Sequence, residues 1–172
     1  TKEITPMMQF KRLSIEKRLN VVNKLFSFFK SVIEAGYVTV DFYDSSIIYD
    51  FILDEVKFCD IDLFSKNPSI NELGIDYYGT KRLKSPEENI LGSIIDEKTS
   101  IFTLGAIIFD MFSDVKNNDE RYSIGMFIKN DRIDFELNDK VYEVLEKATD
   151  YDRNNRYNSI KEFEEEFKKN II

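Results

Sequence analysis

Thr39-Val-Asp-Phe-Tyr-Asp-Ser-Ser-Ile-Ile-Tyr-Asp-Phe-Ile-Leu-Asp-Glu-Val-Lys-Phe-Cys-Asp-Ile-Asp62 is the stretch around which the chain is organised. It reads as an acidic loop, a short apolar strand, a turn at Leu53-Asp54-Glu55, a second strand and a second acidic loop. Such a hairpin brings its two ends together and places Asp41 and Asp44 near Asp60 and Asp62. Two like charges about 5 Å apart repel by roughly 3 kcal/mol at an effective dielectric near 20, so converging carboxylates point to a cation held between them. The other reading makes these aspartates turn and cap residues of an acidic protein.

The chain has 172 residues, enough for one domain that buries about 68–70 % of its unfolded surface. A net charge of −8 without a run of Lys or Arg argues against nucleic acid as the main partner. A bilayer span takes about 20 apolar residues, and no stretch supplies them, so no membrane span is expected. The start, Thr1-Lys-Glu-Ile-Thr-Pro6, is neither a signal peptide nor an initiator Met, and the chain is expected to be a fragment of something longer. The single cysteine, Cys59, allows no intrachain disulfide and suits a reducing, cytoplasmic setting. It reads as a buried structural thiol, since no basic neighbour is at hand to lower its pKa. With no histidine in the chain, a His-based triad, zinc site or imidazole proton shuttle is excluded. Any catalysis must use carboxylates, hydroxyls, Lys or a bound metal.

Around the hairpin the chain reads as helical. A helix is expected from about Ser14 to Ala35, with Ser14 as N-cap and Gly36 as stop. Ile15, Leu19, Val22, Phe26, Phe29 and Ile33 form its core face, and Lys17, Lys24 and Lys30 are placed in solvent. Residues 63–98 show no sustained period and read as a long loop, of the kind more often functional than idle. Tyr77, Tyr78, Thr80 and Ser85 within it read as surface polar residues. The run Thr99 to Ser113 is apolar on nearly every side, the mark of a central core helix capped by Thr99 or Ser100, with Gly105 allowing another backbone close. A weak segment near Tyr122 to Lys129 precedes a helix at Asn138 to Thr149. A last helix starts at the capping box Ser159-Ile-Lys-Glu162, with Phe163 and Phe167 as anchors and Glu164-Glu-Glu166 as a solvated face.

In this order the parts resemble the C-terminal lobe of a eukaryotic-type protein kinase over nearly the whole chain. Thr39-Val40-Asp41 stands where such kinases carry His-Arg-Asp, and Ser46 stands at their metal-binding Asn. Asp60-Ile61-Asp62 matches their Asp-Phe-Gly, Gly79-Thr80 their Gly-Thr, and Ser85-Pro86-Glu87 their Ala-Pro-Glu. Thr99 to Gly105 resembles the start of their buried central helix. Asp152-Arg-Asn-Asn-Arg156 resembles the turn whose Arg pairs with the Glu of Ala-Pro-Glu, which implies a salt bridge between Glu87 and Arg156. The fold expected is mainly α with a small β-hairpin. One domain spans residues 1–172, with the catalytic loop at about 37–50, the metal loop and activation segment at about 58–88, and a helical remainder at 89–172.

The resemblance implies transfer of the γ-phosphate of ATP to a protein hydroxyl, with a lean toward Ser/Thr. Asp41 would orient the acceptor and take its proton; Asp60 and Ser46 would hold Mg²⁺ at the nucleotide; Thr80 would seat the peptide. Val40, Tyr43, Asp62 and Ser100 depart from the pattern: they replace an Arg, a phosphate-contacting Lys, a flexible Gly and a supporting Asp. No glycine-rich loop or Val-Ala-Ile-Lys strand precedes residue 14, so the N-terminal lobe is expected to be absent from this chain. ATP and Mg²⁺ are therefore expected of the intact parent, and the lobe alone, which requires neither, is expected to be inactive. The alternative is a pseudokinase, a binding or scaffold module without turnover. Expected partners are a protein substrate, the missing lobe, or a second copy through the apolar surface that lobe would cover.

Overall fold

Two helices open the chain in the computed structural model, which describes residues 5–171. The first, α1 (Pro6–Lys11), has no counterpart in the sequence reading. It is too short to show a period, and it is held by local chemistry: Pro6 opens it, and the Thr5 hydroxyl accepts from the Met8 N–H at 3.2 Å. The second, α2 (Ile15–Glu34), has the expected caps, with Ser14 Oγ accepting from the Lys17 N–H and Gly36 at φ +83° beyond its end. Val22, Phe26 and Phe29 are fully buried as expected, whereas Ile15 lies exposed. Two charges depart from the simple pattern. Lys30, expected in solvent, binds Glu164 at 2.5 Å, and Arg18 is buried with two bonds to Glu136 at 2.9 and 2.5 Å.

Among the described residues six short strands form three antiparallel pairs. β1 (Tyr37–Val38) pairs with β4 (Ser65–Lys66), β2 (Ile47–Asp50) with β3 (Glu55–Phe58), and β5 (Ser69–Ile70) with β6 (Ile94–Ile95). The hairpin of β2 and β3 runs in register from Ile47 opposite Phe58 to Asp50 opposite Glu55. Its turn occupies residues 51–54, one step before the expected place, because the Asp50 carboxylate accepts from the Ile52 and Leu53 N–H groups at 2.8 and 3.0 Å. The segment from residue 63 to 98 is not the open loop expected of it. β4, β5, β6 and three short 3₁₀ helices tie it down, and the buried Asn71 amide donates to the Gly74 and Glu87 carbonyls at 3.0 and 3.3 Å. Strands of two residues are too short to leave a periodic trace.

The central rod is α3 (Glu97–Met111), in which every residue from Thr99 to Met111 is buried. It begins a turn earlier than its apolar run, because Asp96 is the cap, accepting from the Lys98 N–H at 2.9 Å. Thr99 and Ser100, the expected caps, lie inside the helix. Three further helices surround it: α4 (Asn118–Ile124), α5 (Asp139–Ala148) and α6 (Ile160–Asn170). Gly105 allows α5 in so closely that a Cβ there would stand 2.9 Å from Thr149 Cγ2 and 3.0 Å from Ala148 Cβ. On α6, Phe163 and Phe167 pack on Phe26 with ring centroids 5.0 and 5.6 Å away. Glu164, expected on a solvated face, is buried between Lys30 and Lys168. The whole is mainly helical with a few short antiparallel strands, and no helix among the described residues is long and apolar enough to cross a membrane.

Candidate functional site

Both acidic loops are fixed by the aromatic residues beside them. Phe42 follows Asp41, and Phe58 precedes Asp60 by two positions. Their rings meet Phe28 of α2 at 5.4 and 4.6 Å and each other at 6.0 Å, with Phe29 and Phe64 closing the cluster. The Cys59 N–H donates to the Ser46 carbonyl at 3.0 Å, joining loop to loop. From below, Ser100 Oγ accepts from the Thr39 N–H at 3.2 Å and lies 2.9 Å from the Thr39 hydroxyl, so the head of α3 carries the first loop. Val40, wholly buried, anchors the same turn.

Asp41 and Asp60 both sit in the left-handed region, at φ +54° and +57°; the third such non-glycine residue among those described, Asp54, lies in the hairpin turn. A left-handed L-residue costs about 1–2 kcal/mol, and such conformations gather at working sites. The Asp41 carboxyl is pushed above the ordinary carboxylate range by burial and then by the charge of Asp60. Asp62 adds to this, while Lys84 and the Thr80 N–H pull the other way. Burial and the charges of Asp41, Asp60 and Asp44 push the Tyr43 hydroxyl up as well, so it stays protonated at neutral pH. Burial, then Asp60, raises the half-buried Cys59 thiol.

The four aspartates do not close into one cage. Asp44 turns away to pair with Arg82, which also donates to Asp110 at 3.3 Å. Among the described residues no three acidic or thiol side chains converge as a metal site would require. Asp60 and Asp62 present exposed carboxylates, a donor set that suits one hard cation completed by phosphate and water oxygens. Ser46 is placed differently: fully buried, with its hydroxyl on the Tyr43 N–H at 3.4 Å, it faces inward.

The opposite wall is the segment from Gly79 to Glu88. Thr80 is half-buried, with its N–H toward Asp41. Beneath it, Glu87 takes two bonds from Arg156 at 2.6 and 3.0 Å and one from the Thr99 hydroxyl at 2.9 Å. Burial alone would raise the Glu87 carboxyl, but Arg156 and Thr99 together hold it below the usual range. Tyr77 and Ser85, expected at the surface, are buried. Two neighbours escaped sequence reasoning. Lys84 is buried with its ammonium on the Tyr77 and Ile75 carbonyls, and the fully enclosed Glu88 bonds Ser85 and is raised by burial to about 7. Charged residues next to a glycine turn were the only signal in the sequence.

A cavity of about 540 Å³ opens away from the Asp41–Asp60 shelf. It lies between α1, the hairpin and α3, walled by Phe10, Ile47, Tyr49, Ile107 and Met111, and touches the first acidic loop only at Asp44 and Ser45. The convergent polar groups are on the shelf, which is where chemistry is to be sought.

No protein-family model and no curated protein matches the sequence. Among solved structures, the chain is similar to the kinase PK-1 of Cydia pomonella granulovirus, with a TM-score of 0.67 and 15 % identity over 95 % of this chain. The likeness is one of fold, and the fold is kinase-like. The chain spans 64 % of the length of that kinase.

Proposed function

We propose that the chain is the C-terminal lobe of a protein-kinase-like phosphotransferase, with degenerate motifs, that acts when joined to a nucleotide-covering lobe. The observation that carries this reading is the pair Asp41 and Asp60. They come from two loops and share left-handed backbone geometry, and their charges act on each other beside the Thr80 wall. In this reading the Asp41 carboxylate orients a protein hydroxyl and takes its proton as the hydroxyl oxygen bonds to the γ-phosphorus of ATP. The bond from that phosphorus to the bridging oxygen breaks, and ADP leaves with the electron pair. Asp60 would hold a Mg²⁺, which when bound neutralises charge on the phosphate oxygens. Ser46 joins it only after its hydroxyl leaves the Tyr43 N–H. Thr80 seats the acceptor peptide, and the Glu87–Arg156 pair fixes that wall to the helices. Exposed Ile48, Ile52, Leu53 and Ile61 offer apolar surface for the covering lobe or for a second copy.

A second reading, a pseudokinase that binds or scaffolds without turnover, draws support from the inward Ser46 and from the absence of a basic side chain at Tyr43. The two are separated by purifying the full gene product that contains this chain and measuring Mg²⁺-dependent transfer from ATP to itself and to a generic protein. Transfer lost in Asp41→Asn and Asp60→Asn supports the enzyme. No transfer by the wild type with either Mg²⁺ or Mn²⁺ selects the scaffold.

A further inference from the structure

The acidic loop has no cation of its own. Asp41, Asp60 and Asp62 share one field, and Tyr43 adds no charge to it. Lys84 approaches from the opposite wall. Its residue is only 4 % exposed, and its ammonium donates to the carbonyls of Tyr77 and of Ile75, the latter at 3.4 Å. An ammonium has three donors, so one is left over. Among the described residues none of the ion pairs within 4.0 Å takes it up. Gly79, at φ +121°, passes directly over this side chain: a Cβ there would lie 3.5 Å from Lys84 Cε and 3.7 Å from Glu88 Oε1. Asp41, Gly79, Thr80, Lys84, Glu88 and Thr103 line one small cleft. A buried ammonium is costly unless its charge is used, and here two carbonyls hold it while Lys84 and Asp41 line the same cleft.

We propose that Lys84 is the positioning cation of this site: reaching under Gly79, it offers its remaining N–H to the oxygens that gather at Asp41, in place of the basic side chain that position 43 lacks. The proposal rests on the phosphotransfer reading above and assigns a residue within it. In the step already written, the acceptor proton still goes to Asp41 and ADP still leaves with the bridging oxygen; Lys84 gives and takes no proton. It offsets the negative charge that collects as the phosphoryl group crosses, which is where a fixed cation counts most. Burial weighs most on Lys84, and of the charges whose fields reach it Glu88 comes first, then Lys81, Asp41 and Asp76; the field of Lys84 in turn reaches Asp41.

The test uses the full gene product that contains this chain, labelled with ¹³C at lysine Cε, with Lys84 followed through a pH titration in wild type and in Asp41→Asn. Lys84 is expected to titrate lower by on the order of half a pH unit once Asp41 loses its charge, while Lys161 on α6 stays put. A Lys84 midpoint that does not move overturns the proposal, and this measurement leaves Lys84 itself intact. In transfer assays Lys84→Met is expected to lower kcat by about 10–100-fold with KM for ATP little changed, and Lys84→Arg to recover most of the loss. Equal losses in both variants, or a loss confined to KM, overturn it. If no form transfers phosphate but Asp41→Asn still shifts Lys84, the charge pairing stands and the phosphotransfer reading falls.

Discussion

Replacing Glu87 by Ala removes the carboxylate that fixes the substrate wall to the helical body. In the wild type, both Glu87 oxygens accept from Arg156, at 2.6 and 3.0 Å, and Thr99 adds a bond at 2.9 Å. The Arg156 side chain is wholly enclosed, donates also to the Asp150 and Lys98 carbonyls at 2.7 and 3.1 Å, and lies over the Phe102 ring. Glu87→Ala therefore strands a buried guanidinium without a counter-charge, which costs about 3–5 kcal/mol. With a urea m-value of about 2 kcal/mol/M, the unfolding midpoint should fall by about 1.5–2.5 M. The double variant Glu87→Met with Arg156→Leu removes both charges and should recover most of the loss, giving a strong coupling in a double-mutant cycle. The pH dependence has a definite sign. Because the Glu87 carboxyl is held below its usual range, its contribution is complete above the unfolded value of about 4.3 and is lost as pH falls through the lower folded value. The gap between wild type and Glu87→Ala should narrow in acid. A single-variant cost below about 1 kcal/mol, the range of an exposed pair, would refute the reasoning, as would additive losses in the cycle.

Glu88 works in the opposite sense: burial raises it to about 7, so the folded state holds a proton that the unfolded chain releases above about 4.3. It lowers stability as pH rises through that window, and Glu88→Gln should be more stable than wild type at pH 8 and equal to it near pH 4, read by thermal unfolding across pH. Gly105→Val places methyl groups against Thr149 and Ala148 where a Cβ already comes within 3.0 Å, and should cost about 1–3 kcal/mol in urea unfolding. Phe42→Ala opens the aromatic cluster that clamps both acidic loops. It should cost about 3–5 kcal/mol and speed amide exchange at Asp41 and Asp60, with little change on α6.

What could be read from the sequence was whatever repeats or caps. α2 and α6 declared themselves by spacing and by Ser14 and Ser159, and the hairpin by two apolar runs around a turn. α1 escaped because six residues show no period, and the start of α3 because its first turn is polar while the apolar run begins at Ile101. Buried charge was the main blind spot. Arg18 and Glu164 look like surface residues in one dimension, and their burial follows from partners far along the chain, whereas the buried Lys84 and Glu88 are held by groups within ten residues of them. Glu87 and Arg156 lie 69 residues apart, and only the resemblance to kinases joined them. Within the candidate site, Asp41 and Asp60 were legible as the ends of a hairpin. The inward turn of Ser46 and the capture of Asp44 by Arg82 were not, because rotamers and long-range ion pairs leave no trace in local spacing.

The central claim is that Asp41 and Asp60 form one site for a metal-bound nucleotide, and paramagnetic relaxation by Mn²⁺–ATP in the full gene product tests it most directly. Broadening centred on the amides of Asp41 and Asp60, reaching Thr80, sparing α6 and abolished by Asp60→Asn, is the result predicted. Broadening that ignores those loops, or that survives Asp60→Asn unchanged, would contradict the account.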